Sequence, residues 1–431
     1  MMIKTLFTIL CLFLASPCWS ATQQVLISGS EFALDAAATE YSTFYGVGDR
    51  SDWTLTEADV KGIFPATGTI KDFRVKLEAD PTTATSSYKF TVRVNEAEPG
   101  SPITCTVSVG STTCQSAATT TITSGDYVSI EVVPTNTPVS TTARWSATWN
   151  PTTNDETVLI GGGGSTIIGN STSYVSMTGM SGPDATEFDK SFIAPTAGVF
   201  KNLYVKVLTA PGGAGKTRTF SFRDSASAET INCTITNAET SCNSTLETET
   251  ATATAGERFV LVATVANTPV DTLVKASIVF VPTTSGEWII GMGSDDDLHT
   301  TSTEYYPIAY GDTSWGGTEA SNRVATQTGS FSSDMIIKNM YVQLETDPGV
   351  SGDIFAFTLR ANTADATATL TATCDGVTTC NAAATVTISD DYLMATQSVP
   401  TSSPTVGSAL ISYTGFITPS SAAARRVILI Q

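Results

Sequence analysis

The chain has 431 residues and a formal net charge of −19, with 41 acidic residues against 22 basic ones. Only 15% of its residues are charged, and a chain of this length is expected to form about two to four domains. An acidic surface repels the phosphates of nucleic acids, so the composition disfavours nucleic-acid binding as a function.

The N-terminal residues 1–20 are typical of a secretory signal peptide. They contain the apolar run Leu6–Leu14 and small residues before a cleavage point after Ser20. A lipid-anchor interpretation at Cys18 is disfavoured because Pro17 precedes it. The run is shorter than the roughly 20 apolar residues that span a bilayer, and no later segment is long and apolar enough. We therefore expect a secreted, extracellular or cell-surface protein with no membrane span.

Short apolar strands recur along the chain, and we call them opening strands. They are QVLISG (Gln24–Gly29), TVLIGG (Thr157–Gly162) and EWIIGM (Glu287–Met292). Longer segments with period-two alternation of apolar and polar residues follow each of them, which indicates strands with one buried and one solvent-facing side. The clearest of these segments are GTIKDFRVKLEADP (Gly68–Pro81), GVFKNLYVKVLTAP (Gly198–Pro211) and DMIIKNMYVQLETDP (Asp334–Pro348).

The matching landmarks divide the mature chain into three copies of one unit. The predicted domains are 21–153, 154–284 and 285–420, followed by a linker and a further strand in 421–431. Each copy holds about eight to ten short strands separated by Pro- and Gly-bearing turns. The predicted fold class is all-β, with three tandem antiparallel β-sandwich domains of jelly-roll type. An immunoglobulin-like strand order remains an alternative.

Six cysteines remain after the signal peptide, as one close pair in each copy. An even count, local spacing and a signal peptide together predict three disulfides in an oxidising compartment. Metal binding by these pairs is disfavoured by their spacing and by the scarcity of histidine. We expect each disulfide to staple a surface hairpin. The predicted bonds are Cys105–Cys114, Cys233–Cys242 and Cys374–Cys380.

The repeated strand pair with two cysteines behind it resembles the tandem β-sandwich repeats of secreted bacterial surface proteins and bacteriophage structural proteins. The residues that carry the resemblance are KNLYVKV with TAPG, and the strand with two Phe and an Arg after it, as in RTFSFRDS (Arg218–Ser225). The resemblance covers the whole mature chain and implies a role in structure or adhesive display. Such repeats are largely of unassigned function, so it transfers no site residues.

Few residues point to catalysis or metal binding. The only histidine, His299, lies in a polar loop, and a Ser/His/Asp triad would have to use it. The same loop contains Asp295, Asp296 and Asp297, whose carboxylates are candidate calcium ligands. The other copies lack this cluster, and a solvated acidic turn is the simpler interpretation. The sequence therefore predicts no enzyme and no required cofactor, with calcium as the one candidate.

Two tryptophans are candidates for ligand contact. Trp53 and Trp315 occupy matching loops of the first and third copies and are the best candidates for stacking on a sugar ring. Trp145, Trp149 and Trp288 lie in strand contexts, where packing in a core or interface is expected.

The segment RRVILIQ (Arg425–Gln431) follows the third copy as an opening strand would. Four opening strands for three bodies leave one in excess, and an uncovered apolar strand promotes aggregation. One expectation is that this strand folds back onto the third domain. The other is that Val427, Ile428, Leu429 and Ile430 add to the first domain of a neighbouring chain, which would give filaments.

The leading function is thus a secreted, non-enzymatic structural or adhesive surface protein, with self-association through its last strand as one of the two expectations for that strand. The alternative is an array of carbohydrate-binding modules that uses the loop tryptophans. A secreted hydrolase is the third and weakest interpretation.

Overall fold

The computed structural model describes most of the chain from residue 22 onward. The described residues are 22–30, 32–45, 53–82, 85–180, 182–225, 231–244, 249–293, 296–308, 315–317, 324–325, 335–361, 370–388 and 393–417.

The described residues form strands that fall into three sets. The first set is β1 Gln24–Gly29, β2 Glu40–Thr43, β3 Gly62–Ile63, β4 Gly68–Leu77, β5 Ser87–Val94, β6 Thr104–Ser108, β7 Thr113–Ser116, β8 Thr120–Ile122, β9 Tyr127–Thr135 and β10 Ala143–Pro151, with the short helix α1 Glu57–Val60. The second set is β11 Thr157–Gly162, β12 Ser173–Val175, β13 Gly179–Met180, β14 Phe192–Ile193, β15 Gly198–Val207, β16 Thr217–Asp224, β17 Ile231–Thr236, β18 Ser241–Asn243, β19 Ala251–Ala253, β20 Arg258–Ala266 and β21 Val274–Pro282, with a 3₁₀ turn at Phe188–Lys190. The third set is β22 Glu287–Gly293, β23 Glu304–Tyr306, β24 Val324–Ala325, β25 Met335–Leu344, β26 Ile354–Ala361, β27 Thr371–Asp375, β28 Thr379–Ile388, β29 Leu393–Thr401 and β30 Ala409–Ile417.

Each set folds into two facing sheets. In the first domain the sheets run β1-β10-β4-β7 and β2-β9-β5-β6, with β8 and β3 added beside β4 and β9. The other two domains repeat this order, as β11-β21-β15-β18 with β12-β20-β16-β17 and β22-β30-β25-β28 with β23-β29-β26-β27. Counting eight principal strands per domain, the two sheets are 1-8-3-6 and 2-7-4-5, which is a jelly roll. The predicted fold class is confirmed, and the immunoglobulin-like order does not apply.

The third principal strand of every domain carries the same bulge. β4, β15 and β25 share one alternating burial pattern, and the register with the neighbouring last strand shifts at the same point of each. Asp72, Asn202 and Asn339 lie at this point with φ of 53°, 54° and 52°. Asp and Asn tolerate the left-handed conformation better than most residues, so the repeated K-D/N pair encodes the bulge.

Each domain has its own core between its two sheets. In the first domain, Phe73 of one sheet and Phe90 of the other belong to the same buried cluster. Trp145, Trp149 and Trp288 are all buried, as their strand contexts predicted.

The three cysteine pairs form the predicted disulfides, which is consistent with an oxidising compartment. The expected hairpin is wrong, however. Cys105 lies on β6 and Cys114 on β7, and these strands belong to opposite sheets of the sandwich. The chain therefore makes an arch between the sheets, and the bond joins the sheets at their edge. The other two disulfides join β17 to β18 and β27 to β28 in the same way.

The three domains close into a ring through the outer faces of their opening strands. Val25 and Ile27 of β1 pack into the core of the third domain. Val158 and Ile160 of β11 pack into the core of the first domain, and Ile289 of β22 packs into that of the second. Each domain therefore contacts the preceding one, and the first contacts the third.

A second set of contacts repeats around the ring. β3 of the first domain lies against β11 and β21, β14 of the second lies against β22 and β30, and β24 of the third lies against β1 and β10. The last strands β10, β21 and β30 are consequently buried along nearly their whole length on both faces. Within the described ranges, no helix is long and apolar enough to cross a membrane.

Candidate functional site

The two tryptophans predicted to bind a ligand are core residues. Trp53 is 7% exposed and packs on Trp145 with ring centroids 5.4 Å apart, while Trp315 is 6% exposed and packs on Tyr306 at 5.0 Å. Their matching positions reflect matching roles in two copies of one fold. A buried indole offers no face to a sugar ring, so the prediction of an exposed stacking platform is corrected.

The acidic loop makes local contacts. Asp295 lies outside the described residues, Asp297 is exposed, and Asp296 accepts a hydrogen bond from the backbone N–H of Trp315 at 3.3 Å. The ring Nδ1 of His299 accepts from the backbone N–H groups of Thr301 (3.2 Å) and Ser302 (3.1 Å), which ties the turn together. No group of three or more metal-ligating side chains occurs among the residues that the structure describes.

The starts of the three domains meet at one point of the ring, which we call the apex. The backbone N–H of Thr22 donates to Asn154 Oδ1 at 3.0 Å, and the Thr22 hydroxyl donates to Asp155. Ser285 donates from Oγ to the same Asp155 oxygen at 2.9 Å and lies 3.2 Å from the Thr22 hydroxyl. One carboxylate thus ties together the approaches to all three opening strands.

A buried glutamine joins the first two opening strands. Gln24 Nε2 donates to the carbonyl of Val158 at 2.9 Å, and the N–H of Val158 donates to Gln24 Oε1 at 2.8 Å. This side chain therefore satisfies the backbone N–H and C=O of Val158. Such pairing matters because unpaired buried backbone groups are costly.

The three opening strands are not anchored equally. The residue before β11, Glu156, pairs with Lys201 at 2.8 Å, and Glu287 at the start of β22 pairs with Lys338 at 2.6 Å. Both carboxylates are nearly buried, with side-chain exposures of 9% and 4%. The corresponding position before β1 is Gln23, so β1 lacks this carboxylate–lysine contact.

The chain leaves the third domain at the apex. β30 ends at Ile417, and Phe416 is paired with Glu287 at the start of β22. Gly286 lies against Phe416, and the adjacent Ser285 contacts Thr22. The exit from β30 is therefore close to the start of β1. The predicted self-association strand Val427, Ile428, Leu429 and Ile430 lies outside the described residues, as does the predicted signal peptide, 1–20.

A lysine of the second domain is buried in the contact with the first. Lys275 of β21 donates from Nζ to the carbonyl of Asp59 in α1 and to the carbonyl of Gly164 at 3.2 Å. Burial lowers its pKa to about 8. Nearby, Lys206 donates to the carbonyl of Gly125 at 2.8 Å and lies 4.0 Å from the centre of the Tyr127 ring.

Two equivalent grooves lie beside the domain contacts. The first, of about 250 Å³, is lined by Tyr204, Asn243 and residues of the first domain such as Ser124. The second, of about 220 Å³, is lined by Tyr341, Asn381 and residues of the second domain. In both, a half-buried tyrosine lies beside the asparagine that follows the second cysteine of the disulfide.

The sequence contained signals for these residues. Tyr204 and Tyr341 occupy positions of an alternating strand that are expected to face solvent. An aromatic residue at this position in two copies indicates a contact outside the domain core. Lys275 interrupts an otherwise apolar run, which indicates a buried cation with specific acceptors. Neither signal could identify the partner domain, because the closing of the ring is a tertiary event.

No protein-family model matches the chain, and no curated protein matches it.

Proposed function

We propose that this chain is an exported, non-enzymatic structural or adhesive protein, without a resident cofactor, that self-associates through its Arg425–Gln431 segment. The observation that supports this proposal is that every opening-strand position of the ring is already filled. Its three opening-strand positions are filled by β1, β11 and β22. A fourth segment of the same character therefore finds every equivalent position of its own ring already filled.

The rigidity of the ring suits a structural role. Each domain shares apolar side chains with its neighbour, and each is closed at one edge by a disulfide between its two sheets. The signal-like N-terminus and the disulfides support export to an oxidising compartment. Secretion or display at a cell surface, and adhesion there, belong to this proposal.

The experiment uses the secreted chain without residues 1–20. We expect light scattering and sedimentation to detect assemblies whose population rises with concentration, and deletion of Arg426–Gln431 to abolish them. A matched control, Arg425→Gln with Arg426→Gln, retains the apolar residues and should retain the assemblies. Identical assemblies from the truncated and intact proteins would defeat the proposal.

Carbohydrate binding is a second candidate, supported by the grooves rather than by the tryptophans. A tyrosine ring combined with carboxamide groups offers an apolar face and hydrogen-bonding groups, which suits a sugar. A screen against polysaccharides should then detect binding that Tyr204→Ala with Tyr341→Ala removes and Tyr305→Ala retains. Unchanged binding in the double variant would exclude the grooves.

A further inference from the structure

We propose that the Arg425–Gln431 segment of one copy takes the place of β1 in a second copy, by reciprocal exchange that closes a two-fold dimer. This inference rests on the proposed function and names the surface that receives the segment. That surface is the edge of β10 in the first domain together with the parts of β30 and β24 that contact β1.

The order of the ring identifies the position. β11 follows β10 through 152–156, and β22 follows β21 through 283–286. Each of these opening strands packs its outer face on the core of the domain that the chain has just completed. After β30 the corresponding place is on the core of the third domain, and β1 occupies it. A strand that follows β30 by the rule of the other two domains is therefore directed to the place of β1.

The residues of the segment fit this place. Ile428-Leu429-Ile430 repeats the pattern of Val25-Leu26-Ile27 in β1 and Val158-Leu159-Ile160 in β11. In this register Leu429 would replace Leu26, which belongs to the core of the first domain. Ile428 and Ile430 would replace Val25 and Ile27, which belong to the core of the third.

β1 is also the opening strand most readily exchanged. β11 and β22 each connect two domains and begin beside a buried glutamate–lysine pair, whereas β1 begins after Gln23. Exchange would remove the two hydrogen bonds between Gln24 and Val158, since Val427 would stand at that position. It would keep the apolar contacts that β1 makes, at the cost of these two hydrogen bonds.

The geometry predicts a closed pair rather than a filament. The exit from β30 and the start of β1 lie at the same apex, so two copies exchanging segments must meet apex to apex. The connection 418–426 reaches about 30 Å when extended, which is sufficient to cross between two such apices. An interface in which each copy gives and receives the same segment is isologous and closes at two copies.

Cross-linking tests the position directly. Val25 pairs with Thr148 of β10, so Ile428→Cys with Thr148→Cys should form an intermolecular disulfide in the dimer. Ile428→Cys with the exposed Val109→Cys is the control and should not cross-link. A bond formed only within one chain, or no bond at all, would overturn the proposal. Assemblies that form without this bond leave the proposed function intact, whereas a protein that never assembles defeats both.

A second measurement does not depend on introduced cysteines. Ile27→Ala weakens β1 and should raise the dimer association constant roughly tenfold or more, because it removes a competitor for the position. Ile103→Ala alters the core of the first domain outside this position and should leave the constant unchanged. An unchanged or lower constant for Ile27→Ala would contradict the exchange.

Discussion

At the scale of single residues, the type of residue at one position of the last strand depends on the neighbouring domain that it contacts. The second residue of the last strand is Arg144 in the first domain, Lys275 in the second and Leu410 in the third. Leu410 packs on Phe188 and Ile193 of the second domain, whereas Lys275 reaches backbone carbonyls of the first. The same place in the fold accepts an apolar or a cationic side chain because its surroundings come from a different neighbour each time.

The buried lysine makes stability depend on pH. Its pKa is about 8 in the folded chain against 10.5 for an ordinary lysine, so between these values the unfolded chain binds more protons. Stability should therefore rise with pH across this window, and the cost of burying the charge, roughly 3 kcal/mol, is fully present only below pH 8. Urea unfolding of the wild type and Lys275→Leu from pH 7 to 10 should show a steeper rise in the wild type than in the variant, in which Lys206, whose pKa burial also lowers, still contributes. Lys89→Leu, at a partly exposed lysine, is the control. A Lys275→Leu slope equal to that of the wild type would contradict the assignment.

At one position of the sheet, the first two domains have a bulky residue on the last strand. In the third domain the last strand has Gly415 there, and the bulky residue is Trp288 on the opening strand. Trp149 pairs with Gln24 and Phe280 pairs with Thr157, whereas Gly415 pairs with Trp288. A Cβ at Gly415 would overlap the indole, so the missing side chain provides the room that Trp288 fills.

Gly415→Val should consequently lower the free energy of unfolding by about 1–3 kcal/mol through overpacking. Denaturant unfolding measures the loss, and Trp288→Thr in the same chain should recover part of it because the overlap disappears. Gly100→Val is the matched control, since a Cβ there meets no atom within 4 Å. Equal losses at the two glycines would contradict this packing.

At the scale of elements, the disulfides hold the two sheets of each sandwich together. Cys105 is paired across from Phe90 in one sheet and Cys114 from Val75 in the other, so the bond is the covalent link at that edge. The enclosed loop is short, and its effect on the unfolded chain is correspondingly limited.

Cys105→Ala with Cys114→Ala should lower the free energy of unfolding by roughly 2–3 kcal/mol, as the chain-entropy treatment gives for a loop of this size. Guanidinium unfolding under oxidising conditions measures the change. Repeating it with a reductant should bring the wild type down to or below the variant. A variant as stable as the oxidised wild type would show that the bond adds nothing.

At the scale of the whole molecule, the domains form one mechanical unit. The outer faces of β1, β11 and β22 are part of a neighbouring domain's core, so no domain has a complete core alone. This sharing differs from the usual interface between domains in a chain, which is more polar and permits relative motion.

We therefore expect calorimetry to show a single unfolding transition with a van't Hoff enthalpy close to the calorimetric one. Ile160→Asp places a charge in the contact between the first two domains and should let them unfold separately. The ratio of the van't Hoff enthalpy to the calorimetric enthalpy should then fall. Thr106→Asp on the exposed side of β6 is the control. Three resolved transitions in the wild type would contradict the shared core.

The sequence by itself determined the repeat, the alternating strands, the cysteine pairs and the burial of Trp145, Trp149 and Trp288. These features are local, because they follow from the period of a strand and from the spacing of residues within one copy. The prediction of ligand contact at Trp53 and Trp315 was wrong. Tryptophans at matching positions of two copies can share a place in the core as readily as a contact with a ligand.

Only the tertiary structure decided which sheet each cysteine belongs to, which neighbour each opening strand packs against and where Lys275 is buried. It also showed that Trp288 is equivalent to Gln24 and not to Val25, because the indole of Trp288 fills the room that Gly415 leaves on the neighbouring strand. The physical reason is common to all four. A strand has two faces and two edges, and the sequence shows which faces are apolar but not which surface of the molecule covers them.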